Sequence, residues 1–390
     1  MSADETRRVT DMLDRDTRQS TDAPPPSTEL LIVGPAGYRT EGTGGIGRYI
    51  AEQQQYLDGR VVVDIVDTAV RTPDRPVEYL RTLVTILTGW VGFLGRSRPD
   101  VVHVHTSHQF SFYISTPYVL VASLLWGCPV ILHVHGSSFD TFIEDASLPI
   151  ATLQRWVFAA CSATVALSEG WRDVLSQRAD ADRIVVVPNA VDPAKYAPAA
   201  PGPRPHLVFV SNHIERKGIV EVTEAVDRLQ EAGVEFRVTI AGNGPLSHHA
   251  TAVAEKHDAV DYRGYVSEAE KRALLNEGSV YVLPTRAEGL PIAILEAMAG
   301  GNAIVSTDVG AIASVVDVEN GALVTPGAVD ELTVTLERLL TAPSVTDRMG
   351  RVSRERIEDA YAWPDIVEEL LSLYASVLRD DSSSTDRAAA

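Results

Sequence analysis

Glu288-Gly289-Leu290-Pro291 leads into the helix-like run Ile292-Ala-Ile-Leu-Glu-Ala-Met-Ala-Gly300, which carries Glu296. An apolar strand, Val280-Tyr-Val-Leu-Pro284, precedes it, and another, Ala303-Ile-Val-Ser-Thr307, follows. Pro291 fits the first position of a helix, where no backbone N–H is needed. The N–H groups of Gly289, Leu290 and Ile292 would then converge at a helix N-terminus, which favours phosphate or electron-rich hydroxyl ligands. Glu288 adds a carboxylate acceptor in the loop, and Glu296 a second one about 7.5 Å further along the axis at ~1.5 Å per residue. Two acceptors flanking an anion site suit a ligand with hydroxyls at both ends and phosphates in the middle, as in a nucleotide sugar. Two acids eight residues apart are common by chance. The whole string, flanked by strands and by Gly300-Gly301, is far more specific.

This string resembles the signature of the family-four (group 1) retaining glycosyltransferases of GT-B architecture, which use nucleotide-diphosphate sugars. The resemblance runs from about Leu30 to about Leu378. It implies that Glu288 binds a hydroxyl of the donor sugar and that Glu296 binds the donor ribose.

The composition is that of a globular protein, 45% hydrophobic and 22% charged, and 390 residues favour two domains. A net charge of −19 argues against a nucleic-acid partner, since phosphate backbones demand basic surface. Lysine is nearly absent: Lys195, Lys217, Lys256 and Lys271 are the only four, a bias that either salt adaptation or codon usage would produce. Cys128 and Cys161 have no metal or redox spacing, which predicts free thiols in a reducing, cytoplasmic setting. The polar, Pro-rich segment 1–28 reads as a disordered leader. Phe110 to Val134 is too interrupted to span a bilayer; a short helix near Tyr118 to Trp126 and a strand are expected instead. Leu80 to Leu94 is amphipathic, and buried packing is its default reading, with peripheral membrane contact the minority one.

Twelve apolar runs alternate with helical stretches along the chain, six before Asn189 and six after Pro205. Continuous apolar strands between helices predict parallel sheets buried on both faces. The expectation is an α/β chain of two doubly wound, Rossmann-like domains facing a central cleft. Residues 29–190 would form the acceptor domain, 191–205 a Pro/Ala-rich linker, and 206–362 the donor domain. The resemblance implies a crossover helix, 363–379, that returns to the first domain. The Asp/Ser/Ala-rich end, 380–390, reads as a disordered tail.

Glu41-Gly-Thr-Gly-Gly-Ile-Gly47 is a glycine cluster whose N–H groups could cradle phosphate. Asp67 lies where a dinucleotide fold would want its ribose acid, but that fingerprint needs its glycines directly after the strand, and Val33 ends well before Gly44. The bland alternative is a flexible surface turn. The resemblance implies that Gly44 and Gly45 lie by the donor phosphates.

In the second half, Phe209-Val-Ser-Asn212-His-Ile-Glu-Arg216-Lys217-Gly218 places a lysine at a strand-to-helix turn, where it can neutralise a diphosphate leaving group. Lys217 matches the family's phosphate-binding lysine. Asn212 stands where the family usually has arginine, and Arg216 is the candidate to compensate. Asn243 and Gly244 after one strand, and Tyr265 and Val266 after the next, resemble loops that frame the nucleotide. His133 and His135 share a face at a strand end, and His135-Gly136 matches a family histidine that reaches the donor sugar. His103 and His105 read as structural. Asp180-Ala-Asp182 resembles a metal-binding D-x-D string but precedes a strand, so it reads as a solvated turn; no cluster has metal-ligand spacing in sequence.

The expected activity is retaining, metal-independent transfer from a UDP-sugar, or a GDP-sugar, to a hydroxyl of a glycan or lipid-linked acceptor, with no other cofactor. His135, Lys217 and Glu288 are the catalytic candidates. Gly44, Gly45, Asn212, Arg216, Lys217, Asn243, Gly244, Tyr265, Val266, Glu288, Gly289, Leu290, Pro291, Ile292 and Glu296 are the donor-binding ones. A nucleotide-sugar epimerase of the same architecture, or a silent binding subunit, would share most of these features.

Overall fold

The computed structural model describes residues 23–37, 44–70, 76–200, 202 and 204–389. They fall into two compact units: one ends at Val187 and resumes at Pro364, and the other is Pro188–Trp363.

The first unit holds strands β1 (Glu29–Gly34), β2 (Val62–Asp67), β3 (Val101–Thr106), β4 (Val130–Val134), β5 (Ala163–Ala166) and β6 (Ile184–Val186). All pair in parallel, in the order β2-β1-β3-β4-β5-β6. Its helices are α1 (Gly45–Leu57), α2 (Pro76–Leu94), α3 (Phe110–Leu120), α4 (Phe139–Glu144), α5 (Leu148–Ala159) and α6 (Glu169–Ser176). Every residue of β3, β4 and β5 is buried, because helices cover both faces of the sheet. At the edge, every residue of β2 is exposed or half-buried.

The second unit holds β7 (His206–Val210), β8 (Arg237–Ala241), β9 (Val260–Tyr262), β10 (Val280–Leu283), β11 (Ala303–Thr307) and β12 (Gly321–Val324). They too are parallel, ordered β12-β11-β10-β7-β8-β9. Between and after them run α7 (Ile219–Glu231), α8 (Ser247–Lys256), α9 (Glu268–Glu277), α10 (Ile292–Ala299), α11 (Val329–Leu340) and α12 (Pro343–Ala360). Each expected strand has a counterpart, within one or two residues at either end.

Four details differ from expectation. First, the stretch read as a linker lies against the second unit over its described part: Ala199 N–H donates to Asn276 O (2.7 Å), and Ala197 N–H to Asn276 Oδ1 (3.1 Å). Second, α13 (Trp363–Ala389) runs on through the segment expected to lack structure. Most of the expected leader, residues 1–22, lies outside the described residues.

Third, α3 starts at Phe110, earlier than the expected helix, tolerates Pro117 within it, and passes into a π-turn at Val121–Leu125. Fourth, α2 does not bury its apolar row. Leu80, Leu83, Val84, Leu87, Val91 and Leu94 are all exposed, Val91 by 69%. Among its residues whose burial is described, only Phe93 is in the core, packed on Tyr118 and Trp126 at ring-centroid distances of 4.8 and 4.4 Å. No helix is long and apolar enough to cross a membrane among the described residues.

Candidate donor site

In an open parallel sheet, ligands sit beyond the carboxyl ends of the strands where the strand order reverses. In the second unit that point lies between β7 and β10. Lys217 follows β7 and Glu288 follows β10, so the topology brings together two residues 71 apart.

Gly218 makes the approach possible. Its φ is +76°, and a Cβ there would stand 2.4 Å from Pro284 O. The 3-10 turn Glu215–Lys217 therefore seats directly on the end of β10. Lys217 Nζ donates to Glu288 Oε1, and Arg216 reaches the same oxygen at 3.3 Å while donating to Ala287 O at 2.6 Å. The Thr285 hydroxyl lies 3.0 Å from Glu288 Oε1 and 2.9 Å from Arg216 O. All three side chains meet Oε1.

Glu288 and Lys217 are largely shielded from water, with 8% and 15% of their side-chain surfaces exposed. Burial pulls the Lys217 ammonium below the ordinary lysine range, and the Glu288 carboxylate opposes that shift.

Glu288 is followed by Gly289, Leu290 and Pro291, all buried, and then by the half-buried Ile292. Pro291 is the N-cap of α10, one place before the position expected for it, and helical geometry begins at Ile292. Its carbonyl accepts from Ile294 and Leu295, which leaves the N–H groups of Ile292 and Ala293 outside the helix ladder. Leu290 O accepts from Asn189 Nδ2 (2.6 Å), and Gly289 O from Ala311 N–H (2.8 Å). At the other end, Gly301 N–H donates to Met298 O and Asn302 N–H to Ala297 O, a Schellman closure.

One turn and a half into α10, Glu296 is 1% exposed. Its Oε1 accepts from the Tyr196 hydroxyl at 3.1 Å, and its Oε2 faces Lys271 Nζ at 3.0 Å. Lys271 also pairs with Glu268 at 2.9 Å.

Asn212 is exposed, and its carbonyl accepts from Ile214. Its neighbour His213 is fully buried and organises the next loop: His213 N–H donates to Asn243 O (3.0 Å), and Nδ1 lies 3.0 Å from Ser247 Oγ. Burial lowers the His213 pKa. Gly244 N–H donates to Asn243 Oδ1 (2.8 Å). Tyr265 is 71% exposed, and Val266 is half-buried beside it.

In the first unit, Gly44 is the exposed N-cap of α1 and Gly45 its first residue. His133 lies in β4, while half-buried His135 follows one residue after the strand ends. Register places His133 opposite His105 in β3, and His103 lies two residues back on the same face. The four imidazoles stack; His133 and His135 have ring centroids 4.0 Å apart. His135 Nε2 shares a hydrogen bond with His105 Nδ1 at 2.9 Å. Below them, Gln53 Nε2 donates to Tyr374 Oη (2.9 Å), which shares a hydrogen bond with His103 Nδ1 (2.8 Å).

The fold thus assembles a histidine cluster that spacing along the chain did not announce. Ligating atoms of His103, His105 and His133 lie within 4.8 Å of one another. The rings are nearly parallel, with interplanar angles of 23°, 8° and 29°. A lone pair lies in the plane of its own ring, so these rings aim side by side, not at one point. Around a tetrahedral ion with bonds of ~2.1 Å the nitrogens would stand about 3.4 Å apart. As placed, the cluster is a packed ladder. The D-x-D string also acts locally: Asp180 accepts from Asp182 N–H and caps its own 3-10 turn.

Tyr196, His213, Lys271 and Thr285 therefore join the candidate site, and so does Gly310, whose absent Cβ would stand 1.9 Å from Glu288 O; none had been assigned to it in sequence. The scarcity of lysine was the one signal that could have flagged Lys271.

Residues 43–195 match Glycosyltransferase Family 4, and residues 204–342 match Glycosyl transferases group 1. The chain is 27% identical over 385 residues to the alpha-maltose-1-phosphate synthase of Mycolicibacterium smegmatis, covering 87% of this chain and 97% of that protein. It is 28% identical over 357 residues to the 2-deoxystreptamine glucosyltransferase of Streptomyces kanamyceticus, covering 82% and 91%. Among solved structures, the sucrose-phosphate synthase of Thermosynechococcus elongatus superposes with a TM-score of 0.74 at 16% identity, covering 90% of this chain and 100% of that one. The two family matches together span most of the chain, 43–195 and 204–342, and the solved structure covers both sheets' architecture: the chain belongs to the family 4, group 1 glycosyltransferases and has the GT-B fold.

Proposed function

We propose that the protein is a retaining glycosyltransferase that moves a sugar from a UDP-sugar or GDP-sugar to a hydroxyl of a glycan or lipid-linked acceptor. The observation that carries this reading is the pairing of Lys217 with Glu288 at the switch point beside the N-terminus of α10. A cation and unladdered N–H groups suit a diphosphate whose negative charge grows as the glycosidic bond breaks. In this reading Glu288 receives a sugar hydroxyl and Glu296 the ribose. Arg216, Asn212, Gly289, Leu290 and Pro291 surround the leaving group, and Asn243, Gly244, Tyr265 and Val266 frame the nucleotide. From the first unit, Gly44, Gly45 and His135 keep the roles that the family resemblance gives them. The proposal includes no resident metal.

The exposed apolar row of α2 supports peripheral contact with a membrane face, in keeping with a lipid-linked acceptor. A thermal-shift panel of uridine and guanosine diphosphate sugars tests the donor, since binding to the folded state raises the melting temperature. Stabilisation by one nucleotide series, followed by a product whose anomeric configuration matches the donor by NMR, is the expected result. An inverted product would remove retention, and no stabilisation by any nucleotide would remove the donor site.

A further inference from the structure

Of 34 basic residues in this chain only four are lysines, and two of those four pair with the two signature acids. Lys217 is already part of the donor reading. Lys271 is not, and its position is the more demanding one. Glu296 is 1% exposed, and an ionised carboxylate at that depth needs a compensating charge and hydrogen bonds to stay charged. Lys271 supplies the charge at 3.0 Å from Oε2, and the Tyr196 hydroxyl takes Oε1 at 3.1 Å. The two donors come from different elements, α9 and the segment after the 3-10 turn Pro193–Lys195. Gripped at both oxygens, the carboxylate has one plane available to it. An arginine fork would engage both oxygens at once, whereas an ammonium is a point charge that engages one.

We infer that Lys271 is a specificity-determining positioning residue of the nucleotide site: it holds the Glu296 carboxylate in a fixed orientation, so that the site selects a ribonucleoside diphosphate over its 2′- and 3′-deoxy counterparts. The inference rests on the reading of Glu296 as the ribose acceptor. Lys271 acts through Glu296 and touches no reacting atom. Its loss therefore acts on the sugar of the nucleotide and leaves the diphosphate contacts in place.

The test is calorimetric binding of UDP and GDP, then of the 2′-deoxy and 3′-deoxy forms of whichever binds tighter. The proteins compared are wild type, Glu296→Gln, Lys271→Met and the Lys271→Met/Glu296→Gln double variant. The wild type should prefer the ribonucleotide at least tenfold, and Glu296→Gln should erase that preference. Lys271→Met should weaken the ribonucleotide at least tenfold while changing the deoxy forms less than twofold. The double variant removes the uncompensated buried charge, so it remains folded if Lys271→Met alone does not. It should match Glu296→Gln in affinity for every nucleotide, because the two residues act as one unit. A preference that survives in Lys271→Met, equal weakening of ribo and deoxy forms, or a double variant clearly weaker than Glu296→Gln would each overturn the role of Lys271. A preference that survives in Glu296→Gln would instead overturn the ribose assignment, and the inference with it.

Discussion

Gly310 lies directly against the carbonyl of Glu288: a Cβ at Gly310 would stand 1.9 Å from Glu288 O and 2.8 Å from Gly289 O. Its φ of +59° excludes most side chains for a second, independent reason. The loop that carries the signature acid is therefore shaped from behind by a residue 22 positions later. Gly310→Ala should lower turnover at least tenfold by displacing Glu288, with no charge altered. Gly233 is the control, since its φ is +76° but nothing lies within 4 Å of its would-be Cβ. Gly233→Ala should cost about 1–2 kcal/mol of stability and leave turnover unchanged. Equal activity losses in the two variants would refute the proposed contact.

Lys217→Ala should reduce turnover by roughly 10²–10³, the scale for losing one donor to a developing anion. Nucleoside diphosphate affinity should fall less, since the leaving oxygen gains charge towards the transition state. Glu288→Gln should cost at least tenfold in turnover, in line with about 1.5–3 kcal/mol for a hydrogen bond to a charged group. Arg216 is paired with Glu288 and donates to Ala287 O, so its charge is already partly compensated before a cation is added at the exposed Asn212. Asn212→Arg should then tighten nucleoside diphosphate binding, and unchanged affinity would show that position 212 does not face the diphosphate.

Transfer should continue in excess chelator, because Lys217 and the N-terminus of α10 supply positive charge at the leaving group, while Asp180 and Asp182 serve their own turn. An activity lost in chelator and restored by magnesium or manganese would contradict this.

The histidine ladder predicts how stability depends on pH. Burial, and then the His135 charge, hold His103 down to about 3, and burial keeps His105 and His133 well below the ordinary imidazole value. In the unfolded chain these rings titrate near ~6.5. Between the two values the unfolded state binds protons that the native state refuses, so stability rises with pH. It is unaffected above ~6.5 and falls as the pH drops towards 3, by up to about 1.4 kcal/mol per pH unit for each ring. Urea unfolding at pH 7.5 and pH 5.5, where most carboxylates remain ionised, should show the first unit weakened at the lower pH. A His133→Phe variant should have a shallower slope, and an identical slope would discount the ladder as its cause.

The twelve strands could be read in advance because strands buried on both faces of a parallel sheet are continuous apolar runs, a local signature. Glu288, Pro291 and Glu296 were legible for a similar reason: one loop and one helix turn carry them, and their spacing is set by helix geometry. Lys217 was legible as a lysine at a strand-to-helix turn, but its partner was not. Only strand order brings β7 beside β10 and so sets the ammonium on Glu288. Tyr196, Lys271 and Gly310 reach α10 or its loop from distant stretches, and no period or motif marks them. The same limit explains the exposed row of α2: periodicity identifies an apolar face, but whether another element covers it depends on the rest of the fold. Sequence by itself determined the elements, their parallel pairing and the signature acids, since these depend on neighbours along the chain. Tertiary structure alone decided which cations compensate those acids, because a buried carboxylate takes its partner from whatever the topology packs against it.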